Sequence, residues 1–472
     1  MIELEYCPPI QAFQSPILFR IAFAIPPIGP MYRTATLENG VRVVTHTVPG
    51  LRSCAIGALL DAGPRDEPVE LAGVAHLTEH LMFEGTSNRD GLAIARMIDS
   101  LGGQVGGFIT RDYTCYAATV LDEYAPYILD LFGDLLLNST FPEECVAAQR
   151  GAVGRELATL ADQPDRLVND CLKSLVWPGH PLGRPVAGLP DTVSRLTRED
   201  VIYFTHRTYQ PDRLIVAAAG GVDHDDFVAQ VRDGFWRLIG EAGPRNLPRP
   251  QYRSGVEVKV QPVNQAYFAL AIPAPVYASP DRYGWHLLTT ILGGGISSRL
   301  FRDVRETRGL AFHIAAEYQA YADAGLLVIE GAAAPEDLME VVSLSWDNLC
   351  TLGSGSCPAT TEELWRAKMQ LRGQHLLGGQ DASTLFSRLV TQELYFGRAI
   401  PSETLQQEIE SVDVDSLAGL AGRLNEALRS PALVVVAPES PHITREKLQD
   451  LLTPASQPFL ADRLDTLTSS RC

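Results

Sequence analysis

The strongest chemical signal in this chain is His76-Leu77-Thr78-Glu79-His80, two histidines four residues apart with a glutamate between them. On a helix, residues four apart lie on one face, one turn up, so both imidazoles can reach one cation. Glu79 comes one residue before His80 and sits beside the pair. Two imidazole nitrogens, a third ligand and an open position for water are the composition of a catalytic zinc site. Water at such a site becomes acidic near neutral pH, and an adjacent carboxylate can take its proton. In this inverted order Glu79 is the expected base and not a ligand. The bland alternative is two surface histidines on an amphipathic helix with Glu79 as a solvated neighbour. The flanks speak against it: Val74, Leu77 and Leu81 form a core stripe, and His76 and His80 lie at its edge.

A third ligand must come from another element. The helix expected from Pro142 to about Leu160 carries Glu143, Glu144 and Glu156. The first two occupy the opening turn, where acidic residues complement the helix dipole. Glu156 lies deep in the helix beside the apolar Val153 and Leu160, and is the expected ligand.

These residues need a scaffold, and its signals are regular. Strands are expected at Val41 to Thr47 and Ala55 to Asp61, from their β-branched and apolar content. Helices are expected at Glu70 to Phe83 and at Gly91 to Leu101, the latter closed by Gly102-Gly103. Gln104 to Thr110 and Tyr113 to Leu121 read as a hairpin about Arg111-Asp112. Asp122 is placed to cap a helix from Glu123 to Asn138, and a strand at Leu214 to Ala219 ends the series. A second series repeats the plan. Its strands are Val256 to Val260 and Gln265 to Ile272. Helices come next at Asp281 to Leu292 and Ser297 to Thr307, then a hairpin at Ala311 to Gln319 and Gly325 to Gly331. Further helices start at Pro335, Thr361 and Asp381, and Val434 to Val436 is the last strand. LIVAAAG in the first series resembles ALVVVAP in the second, which argues for an internal duplication of about 200 residues. The expected segments are an extension over 1–30, a metal-binding half over 31–242, a linker over 243–255, a second half over 256–440 and a tail over 441–472. Strands leading and helices trailing within each half favour α+β layers, as opposed to a doubly wound sheet.

Composition narrows the function. The chain has 472 residues and a formal net charge of −18, which repels phosphate backbones and argues against nucleic-acid binding. The eight cysteines show no CxxC spacing, which fits a reducing compartment and a cytoplasmic location. Cys350 and Cys357 flank a Gly/Ser-rich loop and are the one pair spaced for a bridge. No run of 18 apolar residues occurs, so no membrane span is expected. The apolar stretch Ile17 to Ile28 is interrupted by Arg20 and Pro26-Pro27 and preceded by Glu3 and Glu5, a poor match to a signal peptide.

At HLTEHLMFEGT, SLGGQVGGFITRDYTCYAATV and the Arg155-Glu156 helix, in this order and spacing, the sequence resembles the insulinase or pitrilysin-type zinc peptidases. The nearer likeness is to short bacterial members related to mitochondrial processing peptidase. LGGGISSRLFRDVRETRGLAF resembles the family's second half, and the likeness runs from about Met31 to Pro438. It implies two homologous α+β halves closing around a chamber, with Zn2+ held by His76, His80 and Glu156 in the first half alone. The second half has no such motif, and His375 aligns with Glu156. The implied substrate is a peptide or unfolded segment added as a strand along Gln104 to Thr110, beside Gly106, Gly107 and Phe108.

The likeness also implies an Arg and a Tyr seven apart in the second half, which contact the substrate and the developing oxyanion. Arg305 matches the Arg, but the Tyr position holds Phe312, whose ring cannot donate a hydrogen bond. Two further departures stand nearby. Gly106-Gly107 replaces Asn-Ala, which leaves fewer side-chain anchors and a looser strand. Gln149 replaces a Glu seven residues before the third ligand, which removes a charge near the metal. Three readings are open. The chain is a self-sufficient zinc endopeptidase, as a monomer or homodimer; or it is the metal-bearing half of a heterodimer with a homologous chain; or it is a non-catalytic core subunit of the same fold.

Other features read blandly. Gly293-Gly294-Gly295 lacks the GK[ST] ending of a phosphate loop. His180, His206, His224 and His313 are isolated, and Trp285, Trp346 and Trp365 are expected in the core.

Overall fold

The computed structural model describes residues 32–243, 245, 247–379 and 381–452. The expected extension over 1–30, its signal-peptide alternative, Cys7, Cys472 and the end of the tail lie outside the described residues.

Two mixed sheets carry the fold. The first contains β1 (Tyr32–Thr36), β2 (Arg42–Thr47), β3 (Ser53–Leu60), β4 (Gln104–Ile109), β5 (Thr114–Leu121) and β6 (Leu214–Gly220), in the order β1-β2-β6-β3-β5-β4. The second contains β7 (Gly255–Val260), β8 (Ala266–Pro273), β9 (Ala311–Ala320), β10 (Gly325–Ala333) and β11 (Ala432–Ala437), in the order β7-β11-β8-β10-β9. Apart from β1, the two orders superpose strand for strand. Each has one parallel pair, β2 with β6 and β7 with β11, and antiparallel neighbours elsewhere. Two sheets of the same order and the same mixed polarity are what a duplication leaves behind. The α+β class with two homologous halves is therefore correct.

Five helices of the first series bear on the site and its scaffold: α1 (Val74–Leu81), α2 (Gly91–Leu101), α3 (Ala125–Asn138), α4 (Glu143–Ala161) and α5 (Pro164–Val176). In β3, Cys54, Ile56, Ala58 and Leu60 face the core formed with α1 to α4. The alternate residues Ala55 and Leu59 face the other way, onto Leu385, Phe386 and Leu389 of the helix Ala382–Phe396. Gly57 leaves room for the Phe386 ring, which a Cβ there would meet at 2.4 Å. The second sheet does the same in reverse. Phe268, Leu270 and Ile272 of β8 face the helices of their own half, while Ala269 and Ala271 face Val168, Leu172 and Val176 of α5. Each half thus lends one helix to the outer face of the other's sheet. Sheets covered on both faces need strands apolar throughout, and β6 and β11 are buried at every residue.

A charged junction accompanies this exchange. Arg65 Nη1 donates to Asp112 Oδ1 at 2.7 Å and its Nη2 to Asp323 Oδ2 at 2.7 Å. The hydroxyl of Tyr395 donates to Asp112 Oδ2 at 2.8 Å, and the Ala322 N–H reaches the same oxygen at 3.2 Å. The hairpin tip Arg111-Asp112 is therefore a knot between the first series and residues 322–395.

Several expectations need correction. The helix expected from Glu70 begins at Val74, because Gly73 takes a left-handed conformation with φ 99° and single 3-10 turns at Pro64–Asp66 and Val69–Leu71 precede it. Asp122 does not cap the next helix; it heads a 3-10 turn and pairs with Arg52, and α3 starts at Ala125. Over Phe301–Thr307 the chain winds as a π-helix, and the element expected from Pro335 begins at Leu338. Trp285 and Trp346 are buried, but Trp365 is 60% exposed on the helix Thr361–Gly378. Cys350 and Cys357 are free thiols. The helices α5, Arg198–Thr208 and His224–Phe235 are not among those expected from the sequence. No described helix is long and apolar enough to cross a membrane.

Candidate metal centre and its edge strand

The placement of α1 begins at its N-terminus. Glu67 accepts the N–H groups of Gly73 at 3.0 Å and Ala75 at 2.8 Å, two donors that the helix itself leaves unpaired. Burial pushes its carboxyl up to about 8, while the two N–H groups and Arg184 draw it down. Gly73 has no room for a side chain: a Cβ would meet Val193 Cγ2 at 2.7 Å. Val74, Leu77 and Leu81 are fully buried, so the helix cannot rotate about its axis without exposing them. This seam turns His76, Glu79 and His80 toward α4 and β4.

The long helix α4 presents Gln149, Val153 and Glu156 at i, i+4 and i+7, hence on one face. Val146 and Val153 are its buried anchors. The outcome is a convergence. Nε2 of His76 and Nε2 of His80 each stand 3.7 Å from Oε2 of Glu156, and the three ligand atoms lie within 4.8 Å of one another. Zinc with tetrahedral bonds of about 2.0–2.2 Å needs its ligand atoms about 3.4 Å apart, so the three groups fit the ion with a small inward movement. Among the described residues no other set of three His, Cys, Asp or Glu side chains converges in this way. His375 of the second half has Arg388 for a neighbour instead.

Glu79 is not one of the three, but it is next to them, with Oε2 3.8 Å from Nε2 of His80. Burial raises its carboxyl above the ordinary range, His80 draws it down, and Glu156 raises it further. Burial also lowers the His76 imidazole, which favours the neutral ring that binds metal. Near Glu79, the hydroxyls of Tyr116 and Tyr209 meet at 2.9 Å, and both residues are buried.

The strand β4 completes the site. It is the last strand of its sheet, so its outer edge has no partner among the described residues. Its inner edge pairs with β5 without a break, from Gln104 opposite Thr119 to Ile109 opposite Thr114, across Gly106-Gly107. Gly107 lies directly against Glu79: a Cβ there would meet Glu79 Oε1 at 2.3 Å. Nothing stands within 4 Å of a Cβ at Gly106, and Phe108 is exposed.

Arg305 and Phe312 lie in the second half. The Arg305 guanidinium lies over the Phe301 ring at 4.9 Å, and Phe312 is 63% exposed on β9, the edge strand of the second sheet. No hydrogen bond or ion pair of the described residues joins either to the metal ligands. The surroundings of His80 are not expected from the sequence. Gln149 Oε1 stands 3.4 Å from its Nδ1, and Gln149 Nε2 donates to Glu84 Oε1 at 2.5 Å. The charge that Gln149 lacks is present one side chain further out.

Comparison with known proteins gives the family and the fold. The model of insulinase, peptidase family M16, matches residues 42–189, and that of the M16 peptidase inactive domain matches residues 195–371. An uncharacterized zinc protease of Streptomyces coelicolor is 36% identical over 87% of this chain and 90% of its own length. An uncharacterized zinc protease of Bacillus subtilis is 32% identical over 84% of this chain and 96% of its own. Among solved structures, a peptidase M16 inactive domain from Pseudomonas fluorescens aligns with TM-score 0.79 at 20% identity, over 87% of this chain and 98% of that one. A protease from Helicobacter pylori aligns with TM-score 0.78 at 21% identity, over 86% and 99%.

Proposed function

Since the chain belongs to the insulinase family of peptidases, M16, we propose that it is a zinc-dependent endopeptidase acting on peptides and unfolded segments. One observation carries the reading: three ligand atoms converge, and a separate half-buried carboxylate stands beside them against a strand whose outer edge has no partner among the described residues. Zinc, when bound, supplies a Lewis acid and lowers the pKa of water toward neutrality. His76, His80 and Glu156 would hold it. Glu79 takes the proton of the attacking water at its carboxylate and returns it to the leaving amine. A substrate segment pairs with the outer edge of β4, which brings its backbone past Gly107 and next to Glu79. Backbone pairing of this kind asks little of side-chain identity. In this reading residues 31–242 are the catalytic half, and residues 256–440 form the half without a metal group.

The test uses the purified full chain with quenched peptides of about 10–30 residues, a length that an extended strand and its flanks require. Cleavage is expected with one zinc per chain, to stop on removal of zinc by a chelator and to return on adding it back. Stoichiometric zinc without cleavage would place the activity in an assembly with a second chain. Absence of zinc would overturn the reading.

Phe312 favours attention to that assembly. In our reading Arg305 and position 312 face the substrate from the second half, and the phenyl ring offers no proton to a developing oxyanion. A lost oxyanion donor typically costs about 100- to 1000-fold in turnover. Phe312→Tyr is therefore expected to raise kcat on the same peptides by about tenfold or more, with KM little changed. An unchanged kcat would assign the donor to another group.

A further inference from the structure

We infer that Glu84, acting through Gln149, supplies the negative charge that orients His80, a positioning role that rests on the zinc reading above. Nε2 of His80 faces Glu156, so metal ligation leaves the proton on Nδ1. That Nδ1–H needs an acceptor, and Gln149 Oε1 is 3.4 Å away. With its oxygen so engaged, the Gln149 amide turns its NH2 outward, and Nε2 donates to Glu84 Oε1 at 2.5 Å. The row runs in one direction: imidazole N–H to amide oxygen, amide N–H to carboxylate. The reverse amide orientation would set NH2 against the ring N–H and oxygen against the carboxylate. The row therefore determines which way Gln149 lies.

The row also explains why an amide is tolerated at 149. A glutamate there would place two carboxylates in contact, since Glu84 already occupies the outer position. Negative charge at 84 and an amide at 149 form a matched set, as do the opposite assignments. His76 has no such support: its Nδ1 is buried without a hydrogen-bond partner, and packing at 8% exposure holds the ring. His80 is half-buried at 29% side-chain exposure, and it is the ligand that has to be steered by a bond.

The experiment measures the zinc dissociation constant of the full chain by competition with a chromophoric chelator. The melting temperature of the metal-free protein is measured beside it. Glu84→Gln is expected to weaken zinc binding about 10- to 100-fold while the metal-free melting temperature stays put, the usual cost of losing an outer partner of a ligand. The exchange Glu84→Gln with Gln149→Glu restores the charge next to His80, and is expected to return the constant to within about threefold of wild type. A Glu84→Gln protein that binds zinc as tightly as wild type overturns the inference. So does an exchanged double variant no better than Glu84→Gln alone, or a loss confined to the metal-free melting temperature. Wild-type protein without zinc affinity would fail the zinc reading itself, a different result from wild type and Glu84→Gln binding equally.

Discussion

Glu79→Gln is expected to keep its zinc and to lose peptide cleavage by about 100- to 10,000-fold, the range a general base contributes. The amide has the shape of the carboxylate, so the Tyr116–Tyr209 pair and Gly107 around it need not move. His76, His80 and Glu156 keep all three ligand atoms. What disappears is the half-buried carboxylate beside the ligands, the one left to take a proton because Glu156 is engaged with both imidazoles. Burial raises the Glu79 carboxyl, which makes it a better proton acceptor than an exposed carboxylate. Zinc content and kcat/KM are read on the same preparation. Turnover near that of wild type would remove Glu79 from the mechanism. Loss of zinc together with activity would make it a ligand.

The second large effect is on stability. Asp112→Ala is expected to destabilise the chain by about 3–5 kcal/mol, the cost of breaking a buried ion pair, with Asp323 left as the remaining carboxylate on Arg65. The side chains of Arg65 and Asp112 are 1% and 2% exposed, so water cannot replace the lost carboxylate. The same substitution strips Tyr395 and the Ala322 N–H of their acceptor. Asp112→Asn keeps an oxygen for Tyr395 and should fall between wild type and the alanine variant. Asp225→Ala is the control: its pair with Arg33 is 73% and 49% exposed, and its loss should leave the melting temperature unchanged. A melting temperature for Asp112→Ala equal to that of the control would show that the junction does not hold the exchanged helices together. Because each half covers the other's sheet, the expected unfolding is a single transition, and neither half is expected to be stable alone.

Local chemistry is legible in the chain as written. The spacing of His76 and His80 is a helical repeat, and a repeat can be read without neighbours. Gly91–Leu101 is legible to the residue, because Asp90 accepts the Ala93 N–H at one end and Gly102 turns left-handed at the other. The hairpin β4–β5 shows in its alternation and its polar turn, and the duplication in two series of like elements in like order. The choice of Glu156 over Glu143 and Glu144 needs only the difference between a first turn and a helix interior.

Contacts between residues far apart in the chain are another matter. Nothing local marks Ala55 and Ala269 as facing a helix of the opposite half, because a small apolar residue reads the same against any neighbour. Trp365 departs from expectation for the same reason: its size speaks for burial, but helix packing leaves its face uncovered. The start of α1 lies four residues beyond the expected one because Glu67 and Gly73 cap it through contacts that a period of 3.6 does not encode. Gln149 reads as a missing charge in the sequence, and the fold brings Glu84 to it across 65 residues. The proposed ligands, base and edge strand are patterns of residue types at fixed spacing, and the chain alone specifies those patterns. That their atoms converge is a product of packing α1 against α4 and β4, because convergence is set by which faces the core buries.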